Sequence, residues 1–166
     1  MTAEPTTKSK QTPAQFAGAA KLDQQLCFAL YSASGLMTRL YRPLLDPLGL
    51  TYPQYLAMLA LWERAPSTVG ELGEALGLDS ATLTPLLKRL EAGGLVTRRR
   101  DPADERRVLV EPTAKGQALR EQARSVPAAM LCNLPLEADE LKSLHHTLTR
   151  FVSGLRKADP GTANQR

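Results

Sequence analysis

Cys27 and Cys132 are the only two cysteines of this chain, and Tyr41 is one of its four tyrosines. A thiol beside phenol hydroxyls suggests redox sensing: the thiolate is the nucleophile that cleaves a peroxide O–O bond, and a phenol O–H can donate to it. Apolar residues recur at Leu26, Leu30, Ala33, Met37, Leu40 and Leu44, in alternating steps of four and three, as a packed helical seam requires. Cys27, Tyr31, Ser34, Thr38 and Tyr41 follow a neighbouring stripe. Along one straight helix, however, Tyr41 lies about 21 Å from Cys27, beyond the reach of any side chain. If the helix pairs antiparallel with a two-fold copy of itself, crossing near Ser34, Tyr41 of one subunit approaches Cys27 of the other.

A blander reading stands beside this one. Cysteine is a common small core hydrophobe, and Tyr31, Tyr55, Phe28, Met37, Met58 and Trp62 are by default packing residues. Apolar side chains around Cys27 would favour a lipid-like hydroperoxide over hydrogen peroxide. His145-His146 with Cys132 makes a poor metal site, because adjacent helical residues face about 100° apart, so neither a metal nor another cofactor is expected. Gly70, Gly73 and Gly77 do not have the spacing of a dinucleotide fingerprint.

The elements that must position these groups are mostly helical. With 166 residues, 43% of them hydrophobic, the chain suffices for one well-cored domain, 22–156, with an appended dimerisation layer. Residues 1–21 are rich in Thr, Ala, Pro, Gln and Lys and read as a disordered tail, not a signal peptide; 157–166 read as a second tail. No membrane-spanning run occurs, which points to the cytoplasm and to free, reversibly oxidised thiols. A first helix is expected from Leu22 to Leu45 with Asp23 as N-cap, then a second opened by the capping box Thr51-Tyr-Pro-Gln54. Thr68-Val-Gly-Glu71 opens a short third helix, Gly77 turns the chain, and Asp79 caps a fourth, whose Leu83, Leu86, Leu87 and Leu90 form a buried face. Pro85 should kink that fourth helix locally. Two β-favouring segments, 95–100 and 106–111, flank Asp101-Pro-Ala-Asp-Glu105 as a hairpin. A helix from Pro112-Thr113 toward Leu131, interrupted near Pro127, and a last one over 136–156 complete the order.

The fold class is therefore mainly α with a small β-hairpin: a winged helix-turn-helix over 51–112, with dimerisation helices in 22–48 and 113–156. The net charge is +4 and the sequence pI about 9.3, which permits a nucleic-acid partner without requiring one. Residues 68–112 hold seven Lys/Arg against eight Asp/Glu, so position matters more than bulk charge. The cations concentrate at Lys88-Arg89, Arg98-Arg-Arg100 and Arg106-Arg107, on the outer face of the fourth helix and both hairpin arms. That placement suits phosphate contacts and a groove-inserted wing, with Asp104 orienting Arg106 into the minor groove.

The segment Leu78-Asp-Ser-Ala-Thr-Leu-Thr-Pro-Leu-Leu-Lys-Arg-Leu-Glu91, with Gly94-Leu-Val-Thr-Arg98 and Asp104-Glu-Arg106, resembles the recognition helix and wing of MarR-family transcription regulators. Leu22-Asp-Gln-Gln-Leu-Cys-Phe-Ala-Leu-Tyr31 and Leu50-Thr-Tyr-Pro-Gln-Tyr55 narrow the resemblance to the organic hydroperoxide-responsive OhrR branch, over roughly 22–155. The resemblance implies that Cys27 is a peroxide-sensing cysteine, that Tyr41 and Tyr52 hydrogen-bond it from the opposite subunit, and that Cys132 is the resolving cysteine of a two-cysteine subgroup. It also implies a DNA-binding set of Asp79, Ser80, Ala81, Thr82, Pro85, Lys88, Arg89, Arg98, Asp104 and Arg106, with Ala81 standing where some relatives carry glycine.

The expected protein is a homodimeric repressor, not an enzyme. It would bind double-stranded operator DNA, in the form of an inverted repeat, when reduced, leave it when an organic hydroperoxide oxidises Cys27, and be restored by a cellular thiol reductant. Two alternatives stay open on the residues: a thiol peroxidase, and a regulator switched by a bound aromatic ligand.

Overall fold

The computed structural model describes residues 21–158. Residues 1–20 and 159–166, where nearly all of both tails was expected, lie outside the described residues; Lys157 and Ala158 still belong to the last helix.

The first long helix starts one turn later than the sequence suggested. Leu22–Gln24 form a 3₁₀ turn, closed by the Gln25 N–H on the Leu22 carbonyl at 3.1 Å, and the extended backbone of Gln25 takes the N-cap position in place of Asp23. Helix α1 then spans Leu26–Leu45 and passes through Pro43 without ending. Its termination falls to a second 3₁₀ turn, Asp46–Leu48, and to Gly49, whose φ of 67° is a left-handed conformation that glycine adopts at no steric cost.

Helix α2, Tyr52–Glu63, opens as expected: the Thr51 N–H donates to Gln54 Oε1 at 2.8 Å and Pro53 occupies the first turn, where its missing N–H costs nothing. It buries Tyr55, Ala57, Met58, Leu61 and Trp62. Helix α3, Val69–Leu76, carries a complete capping box, with Thr68 N–H to Glu71 Oε2 at 2.7 Å and Glu71 N–H to Thr68 Oγ1 at 3.1 Å. Gly77 at φ 66° turns the chain into α4, Ser80–Ala92, whose N-cap Asp79 accepts from the Thr82 N–H at 2.7 Å. Helix α4 is continuous through Pro85, with Leu83, Leu86, Leu87 and Leu90 all buried.

The expected hairpin is part of a three-stranded antiparallel sheet. Strands β2, Val96–Asp101, and β3, Asp104–Pro112, form the wing, and a two-residue strand β1, Ser67–Thr68, pairs with the far edge of β3 through Ser67↔Val110 and Thr68↔Leu109. Helices α5, Ala114–Ala123, and α6, Val126–Leu131, follow, with the break at Arg124-Ser125, ahead of Pro127, which sits in the first turn of α6. Helix α7 spans Ala138–Ala158.

The chain forms two compact units, one ending at Met130 and one beginning at Leu131. The first has a single hydrophobic core in which Leu45, Tyr55, Met58, Leu61, Leu72, Leu83, Leu87, Leu90, Val96, Val110 and Leu119 interlock. In the second, α7 is strongly amphipathic and none of its residues is buried; Leu144, Phe151, Val152 and Leu155 are exposed. Helix α1 is similar, since Leu26, Leu36 and Leu40 of the expected seam and its flank are exposed and the helix buries only Leu45. No helix among the described residues is long and apolar enough to cross a membrane.

Candidate functional site

The shifted start of α1 makes Cys27 the second residue of the helix, exposed, in a first turn with no acidic side chain. The unpaired N–H groups there favour an anion, and a thiolate would meet no competing carboxylate. Tyr41, on the last turns of the same helix, stacks on Tyr52 in the first turn of α2, with ring centroids 4.5 Å apart and planes inclined by 29°. Thus Tyr41 and Tyr52 are brought together, whereas Cys27 sits about 21 Å up the helix from them. Cys132 is exposed and belongs to the other compact unit.

A third phenol joins the cluster. The ring of Tyr55 lies 6.0 Å from that of Tyr41, and its side chain is only 1% exposed. Its hydroxyl has no hydrogen-bond partner among the described residues. An unpaired buried donor costs on the order of 1–3 kcal/mol, so this one calls for a reason. Sequence reasoning assigned Tyr55 to the core; the sequence signal available was the repeat of tyrosine three residues after Tyr52, which puts both rings on one side of α2. Burial raises all three phenol pKa values above normal; for Tyr41 the neighbouring Tyr52 adds to this, and for Tyr55 both of the others do. Near neutral pH all three are therefore hydrogen-bond donors. Tyr55 also lines a cleft of about 650 Å³ between α2 and the α5–α6 segment, with Leu59, Trp62, Ala123 and Pro127 as apolar wall and Glu63, Arg120, Glu121 and Arg124 among the remaining lining residues.

The DNA-reading candidates lie on α4 and the wing. On α4, Ser80, Ala81, Thr82, Pro85, Lys88 and Arg89 are all exposed on the face opposite the buried leucines, and neither Lys88 nor Arg89 has a carboxylate partner among the described residues. Asp79 is engaged as the cap, and its bonds from Thr82, the largest influence on it, lower its pKa.

The wing arginines divide sharply. Arg98 is bound to Glu91 at 2.9 Å, which turns it back toward the end of α4, and Arg99 is bound to Glu111 at 3.2 Å. Arg100 donates to the Glu105 carbonyl at 2.6 Å, and Arg107 approaches Asp101 at 3.7 Å. Arg106 projects furthest, 91% exposed, yet it is oriented by Asp104 through Nε–Oδ1 at 3.1 Å and Nη2–Oδ2 at 3.3 Å. The same fork holds the Asp104 carboxyl below its usual pKa, the Arg106 side chain acting first and its backbone N–H second.

The base of the wing is fastened to its surroundings. Thr113 N–H donates to the Leu95 carbonyl at 3.0 Å, Thr113 Oγ1 to Gly94 at 2.7 Å and Lys115 Nζ to Gly93 at 2.8 Å. From α2, Trp62 Nε1 donates to the Gly116 carbonyl at 2.9 Å. A Cβ on Gly116 would stand 2.0 Å from the Leu95 carbonyl oxygen, so glycine alone permits this approach. Among the described residues no group of three His, Cys, Asp or Glu is placed to hold a metal ion.

The profile of the MarR family matches residues 50–108, from the start of α2 into the wing. The organic hydroperoxide resistance transcriptional regulator of Bacillus subtilis (strain 168) is 48% identical over 137 residues, covering 82% of this chain and 93% of its own. The chain belongs to the MarR family. Like other MarR-family members it is a winged-helix transcription regulator and not an enzyme. Among solved structures, reduced AbfR of Staphylococcus epidermidis bound to DNA is 40% identical with a TM-score of 0.66, over 81% of this chain and 94% of that one. The disulfide-formed AbfR superposes with a TM-score of 0.56, at 40% identity over 79% of this chain and 92% of that one.

Proposed function

We propose that this MarR-family regulator is a homodimeric, peroxide-releasable repressor, with Cys27 as sensor, Cys132 as resolving thiol, and the Tyr41–Tyr52 pair as donors supplied by the opposite subunit. The observation that carries the reading is the separation itself. The two phenols stack at one end of α1, the thiol sits at the other, and a straight helix keeps them apart. Only a second copy can complete the site. The exposed apolar residues on α1 and, separately, on α7 support such a copy, since an amphipathic helix normally buries its apolar face.

In the reduced dimer the α4 face of Ser80, Ala81, Thr82, Pro85, Lys88 and Arg89 enters the major groove of an inverted repeat, and Arg106, held by Asp104, enters the adjacent minor groove. Asp79 acts as the helix cap and Arg98 as a brace between wing and helix. Cys27 thiolate takes the terminal oxygen of an organic hydroperoxide, giving a sulfenic acid and an alcohol; Cys132 thiol then displaces water to give a disulfide, which a cytoplasmic thiol reductant reopens. That the B. subtilis relative is an organic hydroperoxide resistance regulator, and that AbfR has both reduced DNA-bound and disulfide forms, supports this sequence of events here.

A gel-shift titration with cumene hydroperoxide, with and without dithiothreitol, tests it. Wild-type protein is expected to release its operator and to rebind after reduction, and Cys27→Ser to stay bound throughout. Normal release by Cys27→Ser would overturn the sensor assignment and favour a bound-ligand switch.

A further inference from the structure

Helix α4 runs unbroken through Pro85, a residue that costs stability at an interior helical position. The first turn is otherwise regular: the Leu83 N–H donates to the Asp79 carbonyl at 2.9 Å, and the Asp79 side chain takes the Thr82 N–H at 2.7 Å and a bond from the Ala81 N–H. Proline has no N–H, so the carbonyl four residues earlier, that of Ala81, loses its helical donor, and the ring crowds it outward. Ala81, Pro85 and Lys88 follow one another at i, i+4 and i+7 down the middle of the exposed face, opposite the buried leucines. We propose that Pro85 is a specificity determinant of DNA binding: it leaves the Ala81 carbonyl as a free acceptor that reads the exocyclic amino group of one base pair in each half-site.

This rests on the reading that places α4 in the major groove. An acceptor there has two partners among the base edges, adenine N6 and cytosine N4, because guanine and thymine present acceptors, with a methyl group on thymine. Every base pair carries one such amino group, on one strand or the other. A fixed acceptor therefore distinguishes A·T from T·A and C·G from G·C. Recognition helices touch base edges with their N-terminal residues, and Ala81 is the second residue of α4. Its methyl group is the smallest side chain a chiral residue can hold between backbone and base. The donors that would otherwise hold a phosphate at this helix end, the Thr82 and Ala81 N–H groups, are taken by Asp79. The backbone of this tip is thus left to accept and not to donate.

The test selects duplexes from a random-sequence DNA library with reduced, full-length wild type, Pro85→Ala and Pro85→Val. Any residue but proline brings an N–H that ties up the Ala81 carbonyl, whereas valine keeps apolar bulk on the outer face, so the two variants separate a freed carbonyl from a ring contact. Both variants are expected to lose the base preference of wild type at one position of each half-site, to keep it elsewhere, and to melt at a higher temperature. On the duplex selected by wild type, the amino group at that position is then removed, with purine in place of adenine or pyrimidin-2-one in place of cytosine. The loss should weaken wild type by about fivefold and each variant by less than about twofold, and the base replaced states which amino group is read. An unchanged preference in Pro85→Ala, whatever its melting temperature, would overturn the proposal. So would recovery of the preference by Pro85→Val, or an equal effect of amino removal on all three proteins. Ala81→Glu checks the underlying reading, since a charged side chain on the exposed face should keep the fold and abolish binding to the selected duplex. Wild-type affinity in that variant would show that α4 does not enter the groove, a failure distinct from the others.

Discussion

The segment from Tyr52 to Pro112 and, separately, the helices α1 and α7 all carry apolar side chains, but only the first buries them within its own chain. In α4 every leucine of the apolar stripe is buried, whereas α7 buries none of its side chains and α1 only Leu45. Each helix of the reading head is closed by its own cap, and each wing arginine has a partner. The winged-helix reading head is thus a complete module, whereas the proposed sensing element needs a second copy to finish it. A signal that alters how two copies meet can act on the second without unfolding the first.

Substitutions in the two regions should separate stability from association. Leu87→Ala, in the finished core, is expected to lower folding stability by about 2–5 kcal/mol, read by denaturant unfolding. Gly116→Ala should follow with a loss of about 1–3 kcal/mol, because its Cβ meets backbone and not a side chain that can turn away. Leu155→Ala should barely change the fold but weaken self-association by about tenfold in sedimentation, the scale of one buried leucine. Equal effects of Leu87→Ala and Leu155→Ala on folding, with no change in association, would erase the contrast.

Within the reading head, Arg106→Ala is expected to reduce operator affinity and flatten its salt dependence by roughly 0.9 in log–log slope, with Asp104→Ala a milder copy and Cys27 oxidation rates untouched in both. Tyr41→Phe and Tyr52→Phe should do the reverse, slowing oxidation and leaving operator affinity alone. The smallest effect concerns Glu71, whose pKa is lowered chiefly by the Thr68 backbone N–H and then by the Thr68 hydroxyl. A depressed folded pKa means the cap's contribution is complete above the ordinary value near 4.5 and is lost as pH falls through the lower folded value. Thermal melts of wild type and Glu71→Gln should therefore differ at about pH 6 and converge toward about pH 3.

Short-range features were legible in the sequence. The leucine stripe of α4, the capping sets at Thr51, Thr68 and Asp79 and the Asp104–Arg106 pair each involve residues within a few positions of one another, where local chemistry decides. Strand β1 was not legible, because two residues carry no alternation and Ser67–Thr68 becomes a strand only when β3 lies alongside. The late start of α1 was hidden for a related reason: Asp23 has the chemistry of a cap, but the 3₁₀ turn around it places Gln25 at the boundary. The unpartnered hydroxyl of Tyr55 is a fact about surroundings, which no residue spacing states.

The knot at Gly93, Gly94, Leu95, Thr113, Lys115 and Gly116 sets a mechanical condition on any release from DNA. With the end of α4 hydrogen-bonded to the start of α5, and α5 to α2 through Trp62, the reading head is braced like a leg at its knee. In the proposed dimer two such legs form a pair of dividers set to one turn of the double helix, about 34 Å. Oxidation then needs only to open or close the dividers, spoiling the span while leaving each point as sharp as before.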